Sequence, residues 1–354
     1  MSFTASMLAA SYTQGGALSI TEIPVPRIRD DEMLLRVGAT SICATDVKIV
    51  RAGHRKLRDG QQIVLGHEFA GTIAEVGSQV TGFTVGQRVG VVPNAGCGRC
   101  DACSRGRANY CPTYTAFGID RDGSHSPFVR IPGVFIRQGN VVPLPPEISD
   151  DQASLLEPFS CVVNSVRESR VVLGDRVVIF GAGPMGLLHA KLFNISGAGK
   201  VVMVDPADDR LEQARRLGCD VTINPQHEHL RERVLSATDG QGADVIVTAC
   251  PIAAVQSEAI QLLAPFGRLC LFGGLPKNSG PVPCDTNAIH YGNFQVTGTT
   301  GGSLQDYRIA LRLVAGKRID LGFVVAATLG LSQLREAYDL ALAGAAGKVV
   351  LTAD

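Results

Sequence analysis

The stretch "RVVIFGAGPMGLLHAKLF" constrains this chain more tightly than any other. A short, β-branched apolar run enters a glycine-rich turn, and an apolar segment of helical character leaves it. Gly181, Gly183 and Gly186 fall at the G-x-G-x-x-G spacing in the strand–turn–helix context that gives the motif its meaning. Gly181 permits the tight turn, Gly183 lets the backbone approach a pyrophosphate, and Gly186 allows close helix–strand packing. The unpaired N–H groups of the following helix then face the phosphates. "KVVMVDPADDRLEQARRLG" repeats the strand–helix alternation, and "ADVIVTAC" and "GRLCLFGGLP" add further buried strands. Apolar strands alternating with helices predict a doubly wound parallel sheet, an α/β fold.

The second of these strands ends in Asp205. A carboxylate there suits the adenosine ribose hydroxyls and favours NAD over its 2′-phosphorylated form. Arg210 follows five residues on, within reach of the same ribose. The alternative is that Asp205 only opens the turn "DPADD" and caps the next helix.

The text before this region differs. From about Glu22 to Pro145, "EMLLRVGATSI", "GTIAEVGSQV" and "QRVGVVP" are short apolar runs broken by Gly, Asn and Pro, which predicts a β-rich domain of turns and hairpins. At 354 residues the chain has room for two cores. Its 33 basic and 33 acidic residues balance, which argues against a broad nucleic-acid footprint or an acidic membrane surface. The first twenty residues lack the basic and apolar regions of a signal peptide, and no apolar run reaches the roughly 20 residues of a membrane span. A cytoplasmic location is therefore expected, where thiols stay reduced and clustered cysteines point to metal.

"AGCGRCDACSRGRANYC" holds such a cluster. Cys97, Cys100, Cys103 and Cys111 stand at C-x2-C-x2-C-x7-C spacing. Four thiolates close a tetrahedron and leave no open position, so a zinc held there is structural. An iron–sulfur cluster or unliganded thiols are the alternatives at this point. A second donor set is dispersed: Cys43 in "SICATDVK", His67 and Glu68 in "LGHEFAG", and Glu157 in "LLEPFSC". Singly these read as a small buried residue, a core histidine and a helix end. Together they offer S, N and O donors near the point where one domain hands over to the next. A zinc with three protein ligands and a displaceable water is the catalytic kind.

With "GHEFAG", the four-cysteine lobe, "LLEP" and "GAGPMG" in that order, the sequence resembles the zinc-dependent medium-chain dehydrogenase/reductases (the alcohol dehydrogenase superfamily), and within them the sorbitol or polyol dehydrogenase-like branch. The resemblance runs along essentially the whole chain. It implies a GroES-like catalytic domain over 1–160 and 299–354, with the cysteine lobe at about 95–112, and a Rossmann NAD-binding domain over 161–298. It also implies two zinc ions per chain. Cys43, His67, Glu68 and Glu157 match the catalytic-zinc positions, Cys97, Cys100, Cys103 and Cys111 the structural ones, and Thr45 the hydroxyl that passes the substrate proton outward. NAD is expected on Gly181, Gly183, Pro184, Met185, Gly186, Asp205 and Arg210, with Phe272, Gly274 and Thr299 at the nicotinamide end.

Three departures mark this chain. Lys48 stands where relatives often have the relay histidine. "GTTGGSLQDY" lacks the arginine of animal sorbitol dehydrogenases. "GSHSPF" replaces the usual "GGFAEY", which puts His125 where the family has an aromatic and turns it, by the match, towards a substrate hydroxyl. The expected reaction is NAD-linked oxidation of a secondary alcohol, with a polyol as the leading substrate. The alternatives are amino-alcohol oxidation of the threonine 3-dehydrogenase type and a phosphorylated polyol held by the basic loop of Arg51, His54, Arg55, Lys56 and Arg58. A silent nucleotide-binding sensor is the non-enzyme alternative, and neutral charge disfavours a zinc-bearing nucleic-acid module. A homo-oligomer, a tetramer before a dimer, is implied by the resemblance alone.

Overall fold

The computed structural model describes residues 6–276 and 278–353. The chain divides into two units, one formed by 1–160 with 302–354 and the other by 161–301.

The second unit is the doubly wound sheet. Its six strands are all parallel and run in the order Val221–Ile223, Lys200–Val204, Arg176–Phe180, Ala243–Thr248, Leu263–Leu271 and Gln295–Gly298. Both faces are covered, and for that reason Val177, Val178 and Ile179 are wholly buried although they point to opposite sides. On one face Val178, Phe180, Val202 and Ile246 pack against Val234, Ala259 and Ile260. Helix Pro184–Ile195 leaves the central strand through the glycine turn, with Pro184 at its first position. Gly181 has φ +102°, open to glycine alone, and a Cβ on Gly186 would collide with the Gly181 carbonyl oxygen.

The first unit is built on a seven-stranded sheet. Its path is Val141–Pro143, Arg88–Val91, Glu68–Val76, Met33–Ile42, Lys348–Thr352 and Val325–Gly330, with Phe128–Ile131 also paired to Met33–Ile42. A three-stranded sheet of Leu18–Pro24, Ser6–Thr13 and Gln62–Val64 and a two-stranded ribbon, Asn94–Ala95 with Thr115–Ala116, complete its β structure. The returning strand Lys348–Thr352 is interior and is needed to finish the sheet. Its register places three segments side by side: Ser41 stands opposite Glu68 on one side and Val350 on the other, and Ile42 opposite Val349. Glu68 and Lys348 are thus brought to the end of strand Met33–Ile42, one residue before Cys43.

Strands Ser6–Thr13 and Val325–Gly330 and helix Leu334–Leu342 lie in text that offers little punctuation, and tertiary pairing rather than local pattern defines them. Among the described residues no helix is long and apolar enough to cross a membrane.

Candidate active site

Strand Met33–Ile42 ends at Cys43, which begins helix Ala44–Ala52. Asp46, in the first turn, reaches back and accepts the Cys43 N–H at 2.8 Å, fixing the corner. The same fully buried carboxylate accepts the Gly66 N–H at 3.3 Å and stands 3.5 Å from His67 Nδ1. At that distance the pair is in ion-pair range without a formed hydrogen bond. An imidazole whose Nδ1 faces a carboxylate keeps Nε2 for a metal, the usual orientation of a zinc histidine. Burial opposes charge on Asp46, but His67 beside it prevails and holds the carboxyl at about 2. Burial likewise opposes the His67 proton, yet Asp46 and Cys43 raise its affinity well above the usual imidazole range. A metal bound at this corner would have to displace that proton.

Glu68 is fully buried. Lys348 Nζ lies 2.5 Å from each of its carboxylate oxygens, and the Ser41 hydroxyl donates to Oε2. Lys348 also reaches the Ile42 carbonyl at 3.5 Å. The donor atoms of Cys43, His67 and Glu68 lie within 4.8 Å of one another. A tetrahedral zinc at its usual bond lengths spaces its donors by about 3.3–3.8 Å, so the set fits that ion after small movements. Glu157 is buried in the first turn of helix Leu156–Glu168, outside this tight group. Burial first and the Glu157 charge second raise the proton affinity of Tyr307, and against burial the Glu68 charge foremost, with a smaller part from Glu157, raises that of Lys348. Thr45 is half-buried and Lys48 exposed on the same helix as Asp46.

His125 departs from expectation. It is wholly buried, with Nδ1 2.6 Å from the Tyr338 hydroxyl and Nε2 3.3 Å from the Ser41 carbonyl. Both ring nitrogens are engaged by the protein, so no edge is left for a substrate hydroxyl, and burial lowers its proton affinity and keeps it neutral. Two residues of the basic loop are committed elsewhere. Arg51 donates to the Leu342 carbonyl at 2.7 Å, and Lys56 lies over the Tyr114 ring with Asp120 beside it.

In the lobe, the sulfurs of Cys97, Cys100, Cys103 and Cys111 again lie within 4.8 Å of one another. The Cys97 N–H points at Cys111 Sγ at 3.3 Å, and the Thr113 hydroxyl stands 3.6 Å from it. Burial pushes the Cys111 thiol up, but these donors outweigh it and bring it to about 6, the thiolate a zinc needs. Cys103 is pushed by burial to about 11 and needs the metal itself to ionise.

In the second unit, a Cβ on Gly183 would meet nothing within 4 Å, so the turn leaves open space over its backbone where a pyrophosphate fits. Asp205 Oδ2 accepts the Ala182 N–H at 2.7 Å and Oδ1 the Ala207 N–H at 2.9 Å. It therefore ties the glycine turn to the second strand, and each oxygen keeps a lone pair for a ribose. Arg210 is half-buried in the first turn of the next helix, Asp208–Arg216. Phe272 lies edge-on to the buried His189 ring at 4.7 Å, Gly274 is open, and the Thr299 N–H bonds the Leu271 carbonyl at 3.2 Å.

Sequence reading missed Asp46, Ser41, Lys348 and Tyr338. Asp46 was recoverable as the third residue past Cys43, a capping-box position. The others are joined to the site only by sheet register.

Residues 29–146 match the alcohol dehydrogenase GroES-like domain, and residues 184–316 match the zinc-binding dehydrogenase family. The chain is 34% identical over 345 residues to an L-threonine 3-dehydrogenase of Caldanaerobacter subterraneus subsp. tengcongensis, covering 96% of each. An alcohol dehydrogenase of Escherichia coli CFT073, solved with NADH, superposes with TM-score 0.89 at 27% identity, covering 99% of this chain and all of the other. A Sinorhizobium meliloti 1021 protein bound to NADP matches at TM-score 0.89 and 26% identity, with the same coverage.

Proposed function

Because the chain belongs to the zinc-dependent medium-chain dehydrogenase/reductases, we propose that it oxidises the secondary hydroxyl of L-threonine, or of a close 2-amino-3-hydroxy acid, with NAD. The carrying observation is the full-length similarity to an L-threonine 3-dehydrogenase. The polyol reading, which the same donor residues allow, takes second place because the relatives favour the amino alcohol.

Zinc and NAD together would supply acidification of the alcohol and acceptance of its hydride. Everything else falls to the chain. Cys43, His67 and Glu68 would hold the metal, with Glu157 as the nearby additional carboxylate. Asp46 orients His67 and balances its charge. Lys348 and Ser41 fix the Glu68 carboxylate. We assign to Thr45, two residues past Cys43, the task of taking the hydroxyl proton. Lys48 lies three residues further on and is exposed to solvent. Proton release would then run to water rather than through a side chain. Gly183 gives the dinucleotide its close approach, and Asp205 favours ribose hydroxyls over a 2′-phosphate.

We also propose a homo-oligomer in the cytoplasm, a tetramer before a dimer. Among the described residues strand Gln295–Gly298 is a sheet edge with no further strand paired to it, and Tyr291, four residues before it, is 83% exposed. Light scattering that returned one 37.3 kDa chain would refute this.

The function is tested by NADH formation from L-threonine, xylitol, sorbitol and 2-butanol, each with NAD and NADP. The expected result is a kcat/KM for L-threonine at least about tenfold above the others, since a site built for a charged amino acid rejects analogues lacking its polar groups. A polyol in first place would restore the polyol reading. Binding of NAD with no turnover would support the sensor.

A further inference from the structure

We infer that His125 and Tyr338 form a buried positioning pair that sets the geometry of the metal-binding corner around Ser41–Cys43 and Gly66–Glu68. The inference rests on the zinc-dehydrogenase reading of that corner. His125 touches both segments that supply donors. Its Nε2 bonds the Ser41 carbonyl at 3.3 Å, and Ser41 in turn donates its hydroxyl to Glu68. Its backbone N–H bonds the Leu65 carbonyl at 2.9 Å, and the preceding Ser124 N–H bonds the Gly66 carbonyl at 3.1 Å. Gly66 has φ +98°, and a Cβ there would run into the His125 ring, so the backbone that delivers His67 lies directly against the imidazole.

The chemistry of the partners fixes the tautomer. A carbonyl only accepts, so Nε2 carries the hydrogen. In the neutral ring Nδ1 is then an acceptor, and the Tyr338 hydroxyl must donate to it. Tyr338 is 1% exposed on helix Leu334–Leu342, and the two rings meet edge to face at 5.5 Å. A buried imidazole with two filled ends specifies one position, where an apolar ring would tolerate several. The C-terminal segment thus grips the donor set twice, through Tyr338 and through Lys348.

The pair acts through Ser41 and Gly66 and does not touch substrate, so the test reads the metal. Full-length Tyr338→Phe, His125→Phe, the double variant and His125→Gln are loaded with cobalt(II) or zinc. Release of the mixed-ligand-site metal to a chelator should be about tenfold faster in each single Phe variant and no faster again in the double. The cobalt absorption of that site should shift, while metal in the four-cysteine lobe is retained as in the wild type. The Gln amide reaches the place of Nε2 but offers no acceptor at the place of Nδ1, so His125→Gln should release the metal about as fast as Tyr338→Phe. In turnover, kcat should fall with KM within about twofold. Should His125→Phe fail to fold, Tyr338→Phe, which loses a single oxygen, carries the test. Unchanged release and cobalt spectrum with only a lower Tm would make the pair ordinary core and overturn the inference. A wild type that binds no metal at Cys43 and His67 would instead overturn the functional reading, and this inference with it.

Discussion

The two donor sets of the first unit are built by opposite means. The lobe draws all four sulfurs from Cys97–Cys111, and its short helix Asp101–Ser104 and the turn Ala108–Tyr110 bury none of their residues. It has almost no core, so a metal must supply its folding energy. The mixed set draws Cys43, His67 and Glu68 from two segments and is braced by Ser41, Asp46, His125, Tyr338 and Lys348, nearly all fully buried in the sheet and its flanking helix. There the fold makes the site. One set should depend on its metal for structure, and the other should outlast its metal.

Paired substitutions give the sharpest break. His67→Ala should remove one metal per chain and lower kcat/KM by at least about 10²–10³-fold, the loss seen when a transition-state charge partner is deleted. Tm should hardly move. Cys100→Ser should do the reverse: the lobe loses its metal and Tm falls, while the folded fraction keeps its activity per catalytic metal. Elemental analysis with calorimetry on both variants decides it. A His67→Ala protein that unfolds, or a Cys100→Ser protein of native Tm, would erase the distinction.

The same contrast explains which features were legible in advance. The lobe is a spacing pattern, visible because its ligands are neighbours in the chain. The glycine turn and the parallel sheet were legible for the same reason, since strand, turn and helix are consecutive. Lys348 was not legible. Nothing near "GKVVL" announces a counter-charge for a glutamate 280 residues earlier, and only the pairing of strand Lys348–Thr352 with strand Met33–Ile42 makes it one. His125 misled because the family match turned its ring towards a substrate hydroxyl, whereas Tyr338, 213 residues away, holds that ring within the protein.

Lys348→Met tests whether the mixed set is as prebuilt as it looks. Glu68 would be left fully buried without its cation, which costs about 3–5 kcal/mol when one partner of a buried pair is removed. Zinc brings positive charge to the same carboxylate. The loss of stability should therefore be large in chelated protein and smaller in metal-loaded protein, as measured by urea unfolding. Equal losses in both states would mean that Glu68 does not serve the metal.

Acid should release any metal held by either set, because such ligands must be deprotonated. The second unit adds a loss that has nothing to do with metal. His189 is wholly buried, with Nδ1 2.7 Å from the Met185 carbonyl and Nε2 without a partner among the described residues. Burial lowers its pKa from 6.5 to about 4. Between those values the unfolded chain takes up a proton that the folded chain refuses, so stability falls as pH drops from 6.5 to about 4 and levels off below. The full loss is on the order of 3 kcal/mol. His189→Leu should abolish this component in chelated protein, and an unchanged slope across that window would exclude His189 as its source.

Lys56→Met carries the smallest expected effect and probes a side-chain cation that grips the segment just after the lobe. Lys56 Nζ lies 3.2 Å over the Tyr114 ring, donates to the Tyr114 carbonyl and stands 3.5 Å from Asp120. Asp120 is itself anchored by the Ala116 N–H at 2.7 Å and the Thr115 hydroxyl at 2.9 Å, so the segment after Cys111 is rigid where Lys56 grips it. Half-buried cation–π contacts and charged hydrogen bonds together contribute about 1–2 kcal/mol, and the carboxylate pair little of that because it is partly wet. Met keeps the length and apolar stem and loses only the charge. The lobe should then release its metal a few-fold faster to a chelator, with the mixed site unaffected and kcat/KM for every substrate unchanged. A selective loss on phosphorylated substrates would instead return Lys56 and its loop to substrate binding.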